Sequence, residues 1–373
     1  MDITSFHNIL HAYHKCRRKK RLKPSSSAFE FYMEKEIIEL EQKLKDKSYA
    51  PKKFSVFVVT EPKIREIFAA GFSDRVVHHF LVDYLLPIFE PKFIFDSFAC
   101  RAGKGTHFAI ERLSHFLRQI TVNSNKKAYY LQADVKSFFP SINHDILFTI
   151  IKKQINNPYI LWLTKIIIYH DCTQQPIKKR QLSLFNKVPA HKSLFYVPKG
   201  QGLPIGNLTS QFFANIYLNE LDQYVKHQLK CKYYIRYVDD FVILHEDKDK
   251  LYQIKNEIEK FLHDKLALDL HPHKWKVQNV NNGIDALGYI TKPTYKLVRK
   301  RVVKTLKRKL VKFQKVKQEE LDLDYVVTCI NSYYAHFRHA NSYKLRKHLW
   351  ENHFGSLKKY LQPVNDYRYF KLR

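Results

Sequence analysis

The chain has 373 residues, with 65 lysines and arginines against 35 aspartates and glutamates, so its formal net charge is +30. A charge this large opposes compaction by self-repulsion, and it excludes an electrostatically indifferent surface. Nucleic acid or an anionic membrane is therefore the expected partner. The hydrophobic content of 45% argues against a disordered basic tail.

Neither the cysteines nor the N-terminus indicates a secreted protein. The five cysteines are widely spaced and form no CxxC pair, which indicates neither a disulfide framework nor a zinc site. The first residues lack a basic segment followed by an apolar one, and no apolar stretch is long enough to cross a bilayer. We therefore expect a cytoplasmic protein that binds nucleic acid and no membrane.

Hydrophobic periodicity and turn residues predict a mixture of helices and strands. The first half predicts an amphipathic helix over 1–50 with a breaker at 24–27, a hairpin of 54–59 and 64–68 that turns at 61–63, a helix over 73–86 ended by Pro87, and a strand over 129–135. The second half predicts a helix opening at 141–145, a surface loop over 171–200, a helix over 204–226, and strands over 233–237 and 241–245. Beyond residue 291 we expect a helical, basic region with 21 lysines and arginines against 6 acidic residues.

Glycine is scarce, and its distribution is uneven. Of nine glycines, five fall in two short clusters, Gly103 with Gly105, and Gly200 with Gly202 and Gly206. Rare glycines that cluster indicate backbone that turns sharply or that another chain segment approaches closely.

Three aspartates carry the candidate chemistry. Asp239 and Asp240 separate two predicted strands, so a hairpin turn would hold both, although Asp-Asp is also common in solvated turns. Asp134 ends another apolar strand, and a mixed sheet would place it beside the hairpin. Three adjacent carboxylates repel one another, and Mg²⁺ is a hard cation that resolves this repulsion. Two such ions about 4 Å apart can activate a 3′-hydroxyl and stabilise a leaving pyrophosphate.

These residues resemble motifs of the reverse transcriptases over roughly residues 50–300. Tyr237-Val238-Asp239-Asp240 is similar to their YxDD box. Asp134, with the bulky Phe139 five positions later, is similar to their strand-end aspartate. The resemblance implies that Asp134 and Asp239 bind both Mg²⁺ ions, that Asp240 supports them and that the Val135 carbonyl contributes. It also implies that Phe139 is a steric gate against a ribose 2′-hydroxyl, although one of Phe138 and Phe139 is expected to be core.

A second resemblance concerns the segment from Gly202 to Leu218. It is similar to the loop and helix beneath the incoming nucleotide, which in group II intron enzymes is typically Pro-Gln-Gly-x-x-x-Ser-Pro. Here Ile205 replaces the glutamine before Gly206, and Gln211 replaces the second proline. This pairing resembles reverse transcriptases of diversity-generating retroelements, which copy adenine with frequent errors. An aliphatic side chain offers packing where glutamine offers hydrogen bonds, so discrimination would fall.

Further matches complete the expected nucleotide and primer contacts. Lys63 and Arg65 match the first fingers motif, whose basic side chains clamp the triphosphate. Arg101 lies in a stretch that resembles the second, Gly-rich motif. Lys274 is a candidate general acid for the leaving pyrophosphate, with simple surface charge as the alternative. The primer grip is expected at Leu287, Gly288 and Tyr289.

The resemblance implies an α+β right-hand polymerase with fingers, an antiparallel palm sheet and a helical thumb. We expect N-terminal helices and fingers in residues 1–130, the palm with part of the fingers in residues 131–290, and the basic thumb in residues 291–373. We find no RNase H, maturase or endonuclease domain, and no retron-type Val-Thr-Gly motif, in the sequence given.

The expected function is error-prone RNA-directed DNA synthesis in a diversity-generating retroelement. The expected partners are a structured template RNA, a DNA primer or cDNA, dNTPs and a small helical accessory protein. An antiphage defence enzyme is the nearest alternative, which an adjacent repeat pair or a defence island would distinguish. A catalytically silent RNA-binding scaffold is the alternative from another class, and the intact aspartates argue against it.

Overall fold

The computed structural model describes residues 3–61, 63–179 and 182–373. Pro62, within the predicted hairpin turn, lies outside the described residues. The α-helices are α1 (Phe6–Arg17), α2 (Pro24–Phe31), α3 (Met33–Lys45), α4 (Phe72–Phe89), α5 (Thr106–Ile120), α6 (Phe138–Ser141), α7 (His144–Lys152), α8 (Pro158–Tyr169), α9 (Leu208–Gln223), α10 (Lys248–Leu266), α11 (Lys300–Lys315), α12 (Leu323–Phe337) and α13 (Tyr343–His353).

The described strands are β1 (Ser55–Val59), β2 (Arg65–Ala69), β3 (Tyr129–Asp134), β4 (Ile177–Lys178), β5 (Tyr233–Tyr237), β6 (Asp240–His245), β7 (Lys276–Asn279), β8 (Ile284–Ala286), β9 (Tyr289–Thr291), β10 (Lys296–Val298), β11 (Leu361–Val364) and β12 (Tyr369–Leu372). They form four small sheets with the orders β2-β1-β4, β5-β6-β3-β7, β10-β9-β8 and β11-β12. β1 pairs antiparallel with β2 and parallel with β4.

The first compact unit comprises Met1–Ala102, Gln132–Phe241 and Ile254–Trp275. Its core forms around α4, which packs against α1 and α9. Both α4 and α9 bury residues on several sides, as a helix does when neighbours surround it. The β1–β2 hairpin buries Phe54, Val56 and Phe68 against aromatic and aliphatic side chains of the 171–200 segment.

The second unit comprises Gly103–Leu131, Val242–Gln253 and Lys276–Arg373. Its apolar core draws on α11, α12, α13 and the β11–β12 hairpin. On α11 the buried residues are Leu306 and Leu310, whereas the exposed positions are basic apart from Val311. This one-sided burial lets the helix pack in the core and still present positive charge to solvent. The exposed basic residues of α11 are Lys300, Arg301, Lys304, Arg308, Lys312 and Lys315.

Two prolines do not interrupt helices as predicted. Pro24 is the first residue of α2, where its missing N–H costs nothing because the first helical N–H groups have no intrahelical partner. Pro87 lies inside α4, which continues to Phe89. Only the last turn follows this proline, so the disruption is confined to the helix end.

The C-terminal region is not purely helical as predicted. It holds α11, α12 and α13, but also β10 and the two-stranded β11–β12 sheet. The turn before β12 contains three consecutive residues with positive φ, Asn365, Asp366 and Tyr367. Asparagine and aspartate tolerate this conformation better than most residues, so the turn signal was present in the sequence. No helix among the described residues is long and apolar enough to cross a membrane.

The glycine cluster near residue 202 marks close backbone approach, as predicted. A Cβ added at Gly206 would lie 2.9 Å from the Ile67 side chain and 3.0 Å from the Phe68 carbonyl oxygen, and its φ is +126°. At Gly202 a Cβ would lie 2.8 Å from Leu194. Gly206 thus allows the 200–207 loop to lie directly on β2.

We expect Gly206→Ala to reduce the free energy of unfolding by about 2 kcal/mol or more, because it combines backbone strain with a steric overlap against β2. Urea denaturation followed by circular dichroism measures the change. Gly71→Ala is the control, because Gly71 has φ −55° and a Cβ there would meet its nearest atom at 3.4 Å. Equal stability of the two variants would contradict the close packing at Gly206.

Candidate active site

A two-residue turn presents Asp239. β5 ends at Tyr237 and β6 begins at Asp240, so Val238 and Asp239 form the turn. Val238 has φ +57°, which is left-handed backbone. Left-handed backbone is strained for a β-branched residue. The prediction that both acids occupy the turn is therefore corrected: Asp239 lies in the turn and Asp240 is the first residue of β6.

Backbone hydrogen bonds hold the end of β3 beside this turn. Val135 N–H donates to the Asp239 carbonyl oxygen at 3.4 Å. On its other side the same segment pairs with the chain after α10, because Val135 and Leu270 form an antiparallel bridge and His271 N–H donates to the Asp134 carbonyl oxygen at 2.8 Å. Asp134 and Asp239 are therefore fixed as neighbours by main-chain contacts, as the strand ends predicted.

The carboxylates repel one another at this position. Burial, followed by the charges of Asp134 and Asp240, raises the pKa of Asp239 to about 7. One lysine opposes this charge, because Lys274 Nζ donates to Asp134 Oδ2 at 2.7 Å. The Asp134 side chain is 15% exposed and that of Lys274 is 48% exposed, so solvent can replace the lysine. The cluster remains a place where additional positive charge is favourable.

The donor chemistry of this cluster suits Mg²⁺. It contains the interacting carboxylates of Asp134, Asp239 and Asp240, whose oxygens are hard ligands. Within residues 3–61, 63–179 and 182–373, no three His, Cys, Asp or Glu side chains converge closely enough to hold a metal ion by themselves. Mg²⁺ is usually held by one or two carboxylates with water and substrate phosphate, so this smaller set fits it.

Of the two adjacent phenylalanines, Phe138 belongs to the core. Phe138 is 2% exposed, whereas Phe139 is half-buried, and their ring centroids lie 5.4 Å apart. Ser137 precedes them with φ +46°, which turns the chain sharply into α6. The Phe139 carbonyl oxygen accepts a hydrogen bond from Leu203 N–H at 2.9 Å. Phe139 is therefore bonded to the 200–207 loop, which we call the glycine loop.

The 200–207 loop is bound to the β1–β2 hairpin. Phe68 N–H donates to the Ile205 carbonyl oxygen at 2.9 Å. The buried Asn207 accepts from Ala70 N–H at 3.2 Å and donates from Nδ2 to the Phe68 carbonyl oxygen at 2.9 Å. Ile205 itself is half-buried, and Gln211 is exposed in the first turns of α9. Asn207 was not predicted as a functional residue.

The predicted basic contacts behave differently from one another. Lys63 and Arg65 are exposed at the start of β2, and their side chains are accessible to an anion. Arg101 is instead engaged by its own loop: it donates to Glu90 Oε1 at 2.8 Å and to the carbonyl oxygens of Ile94 and Ser97. We therefore leave Arg101 out of the proposed nucleotide site, because these contacts use its guanidinium to hold the 90–101 loop.

In the second unit, the predicted primer grip is a tight hairpin turn. Leu287 and Gly288 connect β8 to β9 with φ of +53° and +90°, as in a type I′ turn. Tyr289 is fully buried, and its hydroxyl lies 3.0 Å from His336 Nδ1 and 3.2 Å from His107 Nδ1. The residue that follows the turn is thus buried and hydrogen-bonded to two histidines.

A protein-family comparison decides the family of this chain. The model described as "Reverse transcriptase (RNA-dependent DNA polymerase)" matches residues 50–291, which is well over half of the chain. The chain belongs to the reverse transcriptase family. Together with the mixed helices and antiparallel sheets, this membership confirms the predicted α+β right-hand polymerase fold. The predicted subdomain boundaries and the roles of individual residues stay predictions.

Curated relatives of this reverse transcriptase family member include two bacterial proteins. Protein YkfC of Escherichia coli (strain K12) is 24% identical over 274 residues, which is 64% of this chain and 64% of that protein. Group II intron-encoded protein LtrA of Lactococcus lactis subsp. cremoris is 23% identical over 325 residues, 69% of this chain and 50% of LtrA. The chain thus spans about half to two-thirds of these relatives.

Similar solved structures include two telomerases. The apo telomerase of Candida tropicalis, truncated from the C-terminal domain, gives a TM-score of 0.47 at 13% identity, covering 69% of this chain and 59% of that one. The telomerase of Candida albicans in complex with a TWJ fragment of telomeric RNA gives 0.43 at 12% identity, covering 83% and 61%.

Sequence reasoning missed one group of residues near the reverse transcriptase carboxylates. Arg236 and Asp222 form a buried ion pair. A signal was available: Asn215 and Asp222 lie seven residues apart on an apolar helix, and Tyr234 and Arg236 lie two apart on an apolar strand. Polar residues repeated at the period of a buried face indicate a polar network inside the protein.

Proposed function

We propose that this chain is an RNA-directed DNA polymerase that makes cDNA from a structured template RNA by two-metal nucleotidyl transfer. The observation that carries the proposal is the main-chain junction of Asp134 and Asp239, where burial and then the charges of Asp134 and Asp240 raise the pKa of Asp239 to about 7. A protein retains such a costly cluster where bound cations use it. Family membership supplies the reaction class.

Asp134 and Asp239 would hold two Mg²⁺ ions, with the Val135 carbonyl as a further ligand and Asp240 in support. When bound, the ions supply activation of the primer 3′-hydroxyl and stabilisation of the leaving pyrophosphate. Lys274, whose ammonium lies 2.7 Å from an Asp134 oxygen, would donate a proton to the leaving pyrophosphate.

Nucleotide selection is proposed for side chains of the hairpin and of the glycine loop. Lys63 and Arg65 would bind the triphosphate from the exposed start of β2. Phe139 would lie beneath the sugar and exclude a 2′-hydroxyl. Ile205, Gly206 and Gln211 would lie beneath the nascent base pair, where Gly206 keeps the loop against β2.

The charge of +30 supports binding of polyanions, and the exposed basic face of α11 is the proposed contact with the template–primer duplex. The turn Leu287-Gly288-Tyr289 is proposed as the primer grip. The proposed partners are template RNA, a DNA primer or cDNA, dNTPs and a small helical accessory protein, and the proposed location is the cytoplasm.

The biological role is proposed to be error-prone copying in a diversity-generating retroelement. Ile205 and Gln211 support this role, because they replace a glutamine and a proline of the group II intron pattern. The rival role in antiphage defence predicts accurate copying of adenine and a genomic setting without a template and variable repeat pair. A catalytically silent RNA-binding scaffold would gain nothing from a carboxylate cluster, because mutual repulsion of the carboxylates costs free energy and negative charge does not bind RNA.

We expect Asp239→Asn to lower primer extension more than about 100-fold, because a lost metal ligand costs at least as much as a lost outer-shell partner. RNA affinity should be almost unchanged, since the phosphate-binding surface is intact. Gel-based extension with Mg²⁺ and filter binding measure the two quantities. Asp269→Asn is the control, because Asp269 is an exposed neighbouring acid. Full-length extension by Asp239→Asn would overturn the two-metal assignment.

We expect Phe139→Ala to increase ribonucleotide incorporation by about tenfold or more, because the ring acts by occupying space. Competition between labelled dNTP and NTP on the same template measures the preference. Phe138→Leu is the matched control: it should cost about 1–2 kcal/mol of stability, as core substitutions do, without changing sugar preference. An unchanged preference in a folded, active Phe139→Ala enzyme would assign Phe139 to the core.

We expect Ile205→Gln to lower misincorporation opposite template adenine several-fold, since one regained hydrogen bond is worth about 1 kcal/mol. Sequencing of cDNA made on the protein's own template RNA, with any accessory protein present, measures the error rate. Ile205→Leu controls for packing and should leave the rate unchanged. A constant or higher rate in an active Ile205→Gln enzyme would remove this substitution as the cause. Accurate copying by the wild type would favour the antiphage role.

A further inference from the structure

A buried ion pair lies on the strand that leads into the Asp239 turn. Arg236 is 1% exposed and Asp222 is fully buried. The guanidinium contacts the carboxylate through two hydrogen bonds, Nε to Oδ1 at 2.7 Å and Nη2 to Oδ2 at 2.6 Å. Taking two charges out of water is expensive, and apolar residues of similar volume often serve stability as well. Stability alone therefore does not account for this pair.

The third nitrogen of the guanidinium, Nη1, is hydrogen-bonded to the turn. Arg236 Nη1 donates to the Val238 carbonyl oxygen at 2.9 Å. That oxygen belongs to the peptide that joins Val238 to Asp239. The orientation of this peptide therefore helps to set the position of the Asp239 backbone. Val238 has φ +57°, a strained conformation for valine that persists only where surrounding contacts enforce it.

Other groups fix Arg236 and Asp222 in turn. Tyr234 donates its hydroxyl hydrogen to Asp222 Oδ1 at 2.7 Å. The Arg236 main chain is held on both sides, because its N–H donates to the Asp96 carbonyl oxygen and its own carbonyl oxygen accepts from Phe98 N–H, each at 3.0 Å. Asn215, whose Oδ1 lies 3.4 Å from Nη1, is itself anchored by donating to the Ala99 carbonyl oxygen. The guanidinium therefore has little freedom to move.

The charge of Arg236 is also retained. Burial lowers the pKa of Arg236, but Asp222 and, to a smaller extent, Tyr234 and Asp239 raise it above its ordinary value. The side chain is therefore a fixed positive charge near the carboxylates. It differs from Lys274 in this respect, because Lys274 is half-exposed and can leave Asp134.

We propose that Arg236 is a positioning residue for Asp239: anchored by Asp222, it holds the Val238–Asp239 peptide so that the Asp239 carboxylate stays beside Asp134. Asp222 and Tyr234 act through Arg236 and touch neither substrate nor reacting atoms. This inference rests on the proposed function, because it concerns how the same carboxylates are held for metal binding.

The test compares Arg236→Lys, Asp222→Asn and Tyr234→Phe with the wild type. Lysine keeps the charge but cannot form the two-point contact and the third hydrogen bond together. The control is Arg346→Lys in the second unit, where another buried arginine donates to a backbone carbonyl, that of Asp366. The control should lose thermal stability without affecting the measurements below.

Two measurements separate positioning from general stability. Single-turnover extension at saturating dNTP should slow by about tenfold or more in Arg236→Lys and Asp222→Asn, in line with loss of an outer-shell partner, and by a few-fold in Tyr234→Phe. Mn²⁺ binding without turnover, followed by electron paramagnetic resonance, should weaken by a similar factor. Primer–template affinity should stay within about twofold, because the duplex-binding surface is unchanged.

Wild-type rates and Mn²⁺ affinity in Arg236→Lys and Asp222→Asn, with stability losses like those of Arg346→Lys, would overturn the inference and leave the proposed function intact. A wild-type protein that neither extends a primer nor binds Mn²⁺ would instead overturn the proposed function and this inference with it. Where Arg236→Lys is not recovered folded, Asp222→Asn and Tyr234→Phe decide by the same measurements.

Discussion

The mutual repulsion of three aspartates is the constraint on which the rest of this structure depends. Asp134 and Asp239 lie together because main-chain hydrogen bonds fix the end of β3 against the turn after β5. Burial, together with the charges of Asp134 and Asp240, raises the pKa of Asp239, so this position disfavours the charged form of the side chain. Positive charge on the half-exposed Lys274 and on the buried Arg236 opposes the repulsion. Lys274 contacts an Asp134 carboxylate oxygen, whereas Arg236 is hydrogen-bonded to the turn through the Val238 carbonyl oxygen.

Hydrogen bonds to the backbone also fix the hairpin that carries Lys63 and Arg65. β2 is fixed to the 200–207 loop by Phe68 N–H on the Ile205 carbonyl oxygen and by the two hydrogen bonds of Asn207. Its other neighbour, β1, pairs with β4 of the 171–200 segment. Because this hairpin is held at both edges, a basic side chain on it would lose less conformational freedom on binding phosphate than one on an unsupported hairpin. Its binding free energy would therefore be more favourable.

The sequence predicted most of what local patterning controls. The apolar strands that end at Asp134 and Tyr237 follow from alternation and from the acids that terminate them. The predictions that Pro24 and Pro87 interrupt helices were wrong, because a proline is tolerated at the start or in the last turn of a helix. The sequence alone does not show where within a helix a proline will lie. The polar repeat on α9 and β5 indicates a buried network that includes Arg236, but the carbonyl oxygens that Arg101 and Arg236 contact could not be predicted. They belong to nearby turns and loops whose folded path decides which way each carbonyl points. Arg101 was expected at the nucleotide because the stretch around it resembles a Gly-rich, basic motif, and no role was expected for Arg236.

The main-chain role of the glycine loop explains how one position can vary without altering the fold. Ile205 contributes its carbonyl oxygen to β2, and the neighbouring Gly206 allows the close approach. Neither contact uses the Ile205 side chain. A change between glutamine and isoleucine at this position would therefore keep both backbone contacts of the loop. Under the proposed function, such a change would alter the side chain that faces the nascent base pair, and with it polymerase accuracy, while the backbone contacts that hold the loop on the hairpin stay the same.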